Sequence, residues 1–136
     1  MLSDKGGALK EMAKPIRLYA GAPLGSGEQV ISWIHIDDVA GIFLKAVDDP
    51  SFEGAYNAVA PSPVTNREMT QAIARALHRP VLLPSVPSAI LKLMLGEMSG
   101  ILLNGSNVSG EKVWKSGYAF KFPNLDGALK DLLKGQ

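Results

Sequence analysis

His35 and Asp37 are the residues whose types and spacing could do chemistry in this chain. They stand two apart in GEQVISWIHIDDVAGIFLKAV, residues 27–47. On an extended strand, residues i and i+2 share a face. An imidazole beside a carboxylate could there act as an acid–base pair or supply half of a metal site. Neither set is complete. The other histidine, His78, falls at the end of a predicted helix, where complementing the dipole is its ordinary role. No third ligand presents itself, so the pattern nominates no metal site. His35 then reads as a packed strand residue, and Asp37 and Asp38 as caps of the helix that follows.

Other candidates also fall short. GAPLGSG, residues 21–27, invites a phosphate-loop reading. No Gly-Lys-Ser/Thr follows it, and it runs into a strand rather than a helix N-terminus. Arg67 and Arg75 lie on the polar side of a predicted helix. None of Tyr19, Tyr56 and Tyr118 has a lysine four residues later. Cysteine is absent, which removes disulfides, thiolate metal sites and thiol catalysis. The residues alone nominate no catalytic group.

The elements that must position these residues follow from periodicity. Residues 6–19 suit a helix kinked or restarted at Pro15, and residues 20–29 a Gly/Pro-rich loop. Val30 to Ile36 is β-branched and aromatic, a strand apolar on both faces. Val39, Ile42, Phe43, Ala46 and Val47 then form one helical stripe. Residues 55–60 read as a second strand. Thr65 and Glu68 make a capping box for a helix with the stripe Met69, Ala72, Ile73, Ala76 and Leu77. VLLP, residues 81–84, reads as a short strand. An apolar helix follows, beginning at Ala89 and ending at Met98, with Pro87 at its entry. Ser109 caps a short helix ended by Gly117. Tyr118, Phe120 and Phe122 mark one face of a last strand. Asn124 caps a final helix with the stripe Leu125, Ala128, Leu129, Leu132 and Leu133. The alternation predicts an α/β fold of short strands and helices.

Bulk properties narrow the function. The 136 residues suit one domain, with 46% hydrophobic and 20% charged residues. Fourteen Lys and Arg against thirteen Asp and Glu leave a formal charge of +1, with no basic stripe for nucleic acid. The apolar runs are too short to span a membrane. With no signal-like start, the cytoplasm is the expected location.

Larger blocks carry a resemblance: WIHIDDVA, then GAYNAVAPSPVTNREMTQAIARALHRP, LKLMLGEM, and SGYAFKFP. From Gly6 onward the chain resembles the C-terminal half of atypical extended short-chain dehydrogenases/reductases. More narrowly, it is similar to the NAD-dependent epimerase/dehydratase or nucleoside-diphosphate-sugar epimerase group. The resemblance implies a substrate-side lobe of an extended Rossmann-type protein. The other half of such proteins carries the Gly-rich dinucleotide fingerprint and the Tyr-x-x-x-Lys pair, and neither occurs here. Related members carry Gln-x-Arg-Asp before the strand, whose Arg contacts a sugar-nucleotide diphosphate. Here the segment is Gln29-Val30-Ile31-Ser32, and an isoleucine makes no charge-assisted bond to phosphate.

These readings set the expectations. Residues 1–29 form a helix and loop, and residues 30–136 the lobe, as a single domain overall. Gln29, Ser32, Trp33 and His35 line a substrate cleft; Asp37, Asp38, Thr65 and Glu68 are structural caps. The chain binds no cofactor or metal itself, and NAD(P) belongs to a longer parent that acts on a small molecule. The alternative is a free-standing, self-associating interaction or small-ligand module. Self-association would use an exposed sheet edge or the apolar helix from Ala89 to Met98.

Overall fold

The computed structural model describes residues 1–95 and 104–134. Helix α1 (Ala8–Arg17) is shorter than the predicted 6–19 and holds Pro15 in its last turn. Tyr19, at φ 61, turns the chain out of it. β1 (Val30–Ile31) pairs antiparallel with β2 (Val64–Thr65), Val30 opposite Thr65 and Ile31 opposite Val64. Between them lies α2 (Ile36–Asp48), and α3 (Asn66–Ala76) follows β2 directly. The Thr65 hydroxyl accepts the Glu68 N–H while the Glu68 carboxylate accepts the Thr65 N–H, the reciprocal capping box. Then come α4 (Ser88–Leu95), α5 (Glu111–Lys115) and α6 (Leu125–Leu132), the last capped by Asn124 through the Gly127 N–H.

The helical stripes build the main core. Leu9, Ala13 and Ile16 of α1, Met69, Ala72 and Ile73 of α3, and Leu125, Ala128, Leu129 and Leu132 of α6 close around Trp33. Burying each large side chain contributes about 1.5–3 kcal/mol. A second cluster joins Ile34, Ile42 and Val113 to Val39, Phe52, Tyr56, Tyr118 and Phe120. The α2 stripe behaves differently. Ile42 is buried, but Phe43 and Val47 are 69% and 82% exposed.

The architecture is the expected mixture of helices and short strands, with the strands shorter than predicted. Past Ile31 the run to Ile36 is held by single bonds, not a ladder: Leu2 N–H to Ile34 O, Ile36 N–H to Leu2 O, and Ala60 N–H to Trp33 O. Residues 55–60 form no strand, because that last bond is their link to it. Residues 81–84 form none either; Leu82 and Leu83 are exposed. Residues 118–122 are held by a buried carboxylate instead of a neighbouring strand, and Phe122 joins the main core while Tyr118 and Phe120 join the second. The apolar helix runs to Leu95; its predicted end at Met98 lies outside the described residues.

Candidate functional site

The stretch Ser32-Trp33-Ile34-His35 runs extended between the two cores, and each polar side chain on it fixes a different neighbour. The Ser32 hydroxyl donates to Ser106 O and accepts the Val108 N–H, both at 2.8 Å. Ser106 N–H in turn reaches Val30 O at 2.7 Å. This close return requires glycine at 105, where φ is 64 and a Cβ would stand 2.7 Å from Val30 O. Trp33 is 2% exposed, and its indole N–H donates to Ser62 O at 2.7 Å. Ser32 therefore holds the loop at 106–108, and Trp33 holds the loop at 61–63.

Those two loops are the walls of a groove of about 510 Å³. Ala60, Pro61 and Pro63 line it from the earlier loop, Asn107 and Ser109 from the later one, and Trp114, 64% exposed, from α5. Gly110 closes one end, so near Val59 that a Cβ would meet its carbonyl at 2.8 Å. Glu111 adds a carboxylate to the rim, held below its usual range by the Lys115 ammonium 2.5 Å away. An exposed indole and two proline rings lining one groove, edged by amide, hydroxyl and carboxylate, can stack on a flat or ring-shaped molecule and bond its polar periphery.

Of the residues expected to line a cleft, Ser32 and Trp33 thus stand one layer behind this groove. Ser32 and Trp33 position the walls. Gln29 acts elsewhere: its side-chain amide donates to Leu24 O at 2.9 Å, and its backbone carbonyl accepts the Asn66 N–H, tying the 24–29 loop to the start of α3. Ile31 packs half-buried against the main core and bridges to Ser106. The groove residues proper, Asn107 and Trp114 above all, carry no local pattern that marks them. A loop wall becomes visible only when two distant segments meet.

His35 is 1% exposed and caps α2 itself: Nδ1 accepts the Asp37 N–H at 3.0 Å. That bond places the neutral ring's proton on Nε2. Nε2 has no hydrogen-bond partner and lies 3.6 Å from the Asp131 carboxylate, while the ring stacks on Phe122 at 3.9 Å. Both nitrogens face protein, and no lone pair is left to take a substrate proton. The acid–base pair with Asp37 does not form either. Asp37 points to Lys121, 2.7 Å away, whose hydrogen bond draws the carboxyl below its usual range.

Asp38 differs from its expected role as a cap. Fully buried, its carboxylate accepts the Lys121 N–H at 2.7 Å, the Phe122 N–H at 3.0 Å and the Tyr118 hydroxyl at 3.1 Å. Burial, seconded by this carboxylate, pushes the Tyr118 hydroxyl up to about 12. The neutral phenol is the form the fold favours, since its ordinary value is 10.0. Stability linked to this proton is full below pH 10 and is lost as pH rises from about 10 to about 12. A phenolate titration by ultraviolet absorbance should show one late-ionising tyrosine, absent in Tyr118→Phe.

Among the described residues, no cluster of three or more His, Asp or Glu could hold a metal ion. No helix there is long and apolar enough to cross a membrane. A dinucleotide does not fit the glycine-rich loop. It leads into β1 instead of a helix N-terminus, and Arg67 and Pro23 already crowd Gly27.

Comparison with known proteins places this geometry in context. Residues 86–132 match a family model described as a domain of unknown function, DUF1731. The mouse epimerase family protein SDR39U1 is 42% identical over 134 residues, 98% of this chain and 45% of that protein. A Staphylococcus epidermidis epimerase family protein is also 42% identical, with 44% of its length covered. A crystal structure of the human SDR39U1 protein with NADPH superposes with a TM-score of 0.90 at 39% identity, covering 99% of this chain and 46% of that one. A nucleoside-diphosphate sugar epimerase from Corynebacterium glutamicum gives 0.71 at 26% identity, covering 97% and 24%. The chain spans a little under half the length of the curated relatives it matches. Its resemblance and its fold are those of the C-terminal part of epimerase family proteins.

Proposed function

We propose that this chain is the substrate-side lobe of an NAD(P)-dependent, epimerase/dehydratase-like oxidoreductase, and that it is not catalytic alone. The observation that carries the reading is the near-complete superposition on the C-terminal part of a human relative whose structure holds NADPH. The groove under Trp114 gives the lobe its task. It receives a ring-shaped polar substrate, such as a sugar, with the apolar face on the indole and the hydroxyls toward Asn107 and Ser109. Ile31, packed where related members carry arginine, offers a diphosphate no counter-charge, which favours the ring over the nucleotide as the recognised part.

The test joins this chain to the part of the S. epidermidis relative that it does not match. NADPH should quench the joined protein's fluorescence saturably, and this chain alone should not respond. Against a panel of sugar and sugar-nucleotide substrates, Trp114→Ala should raise KM at least tenfold with the NADPH Kd unchanged. Saturable NADPH binding by the chain alone overturns the reading. So does a Trp114→Ala effect on NADPH with none on KM.

A further inference from the structure

The loop that Ser32 holds is entered through Asn104-Gly105, and this pair has a chemistry of its own. Asn104 is the one asparagine followed by glycine; Asn57, Asn66, Asn107 and Asn124 precede Ala, Arg, Val and Leu. A glycine has no side chain to screen its backbone nitrogen from the side-chain amide before it. Three of the other asparagines are also held by hydrogen bonds: Asn57 donates to Ser109 O, Asn66 accepts the Leu24 N–H, and Asn124 accepts the Gly127 N–H. Asn104 is exposed.

The docked loop keeps this pair from reacting. Asn104 is helical, and Gly105, at φ 64, turns the chain out. Closing a ring between the two requires rotation about the Asn104 Cα–C bond, which swings everything after it. Ser106 blocks that rotation. Its N–H is on Val30 O at 2.7 Å, and its carbonyl accepts the Ser32 N–H at 3.1 Å and the Ser32 hydroxyl at 2.8 Å. Loops that wall a groove open locally at less cost than the whole fold unfolds.

We propose that Asn104 is a modification site. When the loop lifts from Val30 and Ser32, Asn104 converts to aspartate and isoaspartate through a cyclic imide with Gly105, and the isoaspartyl form keeps the loop from docking again. The Gly105 nitrogen gives its proton to solvent base and attacks the Asn104 side-chain carbonyl carbon. A C–N bond forms, the bond to the amide nitrogen breaks, and ammonia leaves with a proton from solvent. Water then adds to either ring carbonyl and breaks its bond to nitrogen. One side yields aspartate; the other routes the main chain through the side-chain carbon as isoaspartate. One water is consumed, one ammonia is released, and nothing is oxidised or reduced.

The damage follows from the fit at Gly105. A Cβ there would already stand 2.7 Å from Val30 O, 2.9 Å from Val30 N and 3.1 Å from Gln29 Cβ. No slack remains for the extra main-chain atom of an isoaspartate, so the Ser106 bonds cannot all be remade. The groove then loses the wall at Asn107, whatever it binds.

The test ages the full chain in warm, mildly alkaline buffer and maps it by mass spectrometry. Conversion is expected at Asn104 alone, with isoaspartate marked by an isoaspartyl methyltransferase. Asn104→Gln should abolish it. The urea-unfolded chain should convert several-fold faster. Ser32→Ala, which removes the hydroxyl between Ser106 O and Val108 N–H, should also speed conversion several-fold. In the aged chain, amide exchange at Ser32, Ser106 and Val108 should be at least tenfold faster than in fresh chain, and unchanged in aged Asn104→Gln. A folded chain that stays intact at Asn104 while the unfolded chain converts overturns the proposal. Equal rates in Ser32→Ala and the unchanged chain overturn the gating by the loop. Unaltered amide exchange after conversion overturns its effect on docking. Circular dichroism checks the fold of Ser32→Ala. If its helices are lost, the unchanged chain in urea below its midpoint takes its place, and conversion that fails to rise while Ser106 exchange rises overturns the gating.

Discussion

Asp38→Ala should lower the unfolding free energy by about 3–5 kcal/mol. Removing the carboxylate strands two backbone donors, Lys121 N–H and Phe122 N–H, and the Tyr118 hydroxyl. Each buried group left without a partner costs about 1–3 kcal/mol. Water cannot easily replace the acceptor, because Asp38 is completely buried. Small domains hold only about 5–15 kcal/mol in total, so this variant stands near the edge of folding. Asp38→Asn keeps the shape and one acceptor oxygen, and should cost about half as much. Tyr118→Phe removes one partner and should cost about 1 kcal/mol. Urea midpoints for the three variants test the order. A loss in Asp38→Ala no larger than in Tyr118→Phe would refute the proposed role of the carboxylate.

Trp33→Ala should be the other severe change, for a different reason. It empties the centre of the main core, and large aromatic-to-alanine changes there cost about 3–5 kcal/mol. The effect reaches the groove as well, since the indole N–H that fixes Ser62 is gone. Trp33→Phe separates the two contributions. It keeps most of the packing and leaves Ser62 O without its donor, for about 1–2 kcal/mol. In the joined protein, Trp33→Phe should raise KM several-fold even at temperatures where the variant stays fully folded. An unchanged KM would make Trp33 a packing residue only.

The helices were legible because their signals are local. The stripes of α3 and α6 and the Thr65–Glu68 box need only neighbours three or four residues away. The strands were less so. Residues 118–122 carry the alternation of a strand, yet their partner is an aspartate 80 residues upstream. That same aspartate sits where a cap belongs, and a buried acceptor looks no different in sequence from a cap. His35 is not a usual N-cap residue, and nothing nearby suggests that its ring would hold the Asp37 N–H. Phe43 and Val47 fit a core stripe by spacing; spacing does not say whether the covering surface lies within the chain. The groove was the least legible part. The side-chain chemistry of Ser32 and Trp33 singles them out in the sequence, but their task is to place loops 29 to 76 residues away.

Those long spans order events during synthesis. Ser32 waits for residues 106 and 108, 74 and 76 positions downstream, and Asp38 waits for residues 118 to 122. At roughly 5–20 residues per second, a ribosome takes about 4–16 s to cover such a distance. Through that interval the nascent chain carries an acidic side chain and a serine whose partners do not yet exist. The groove walls are therefore fixed only once residue 108 has been made, and a chain stopped short of residue 118 would carry α1 and α3 with Asp38 still lacking every one of its side-chain partners.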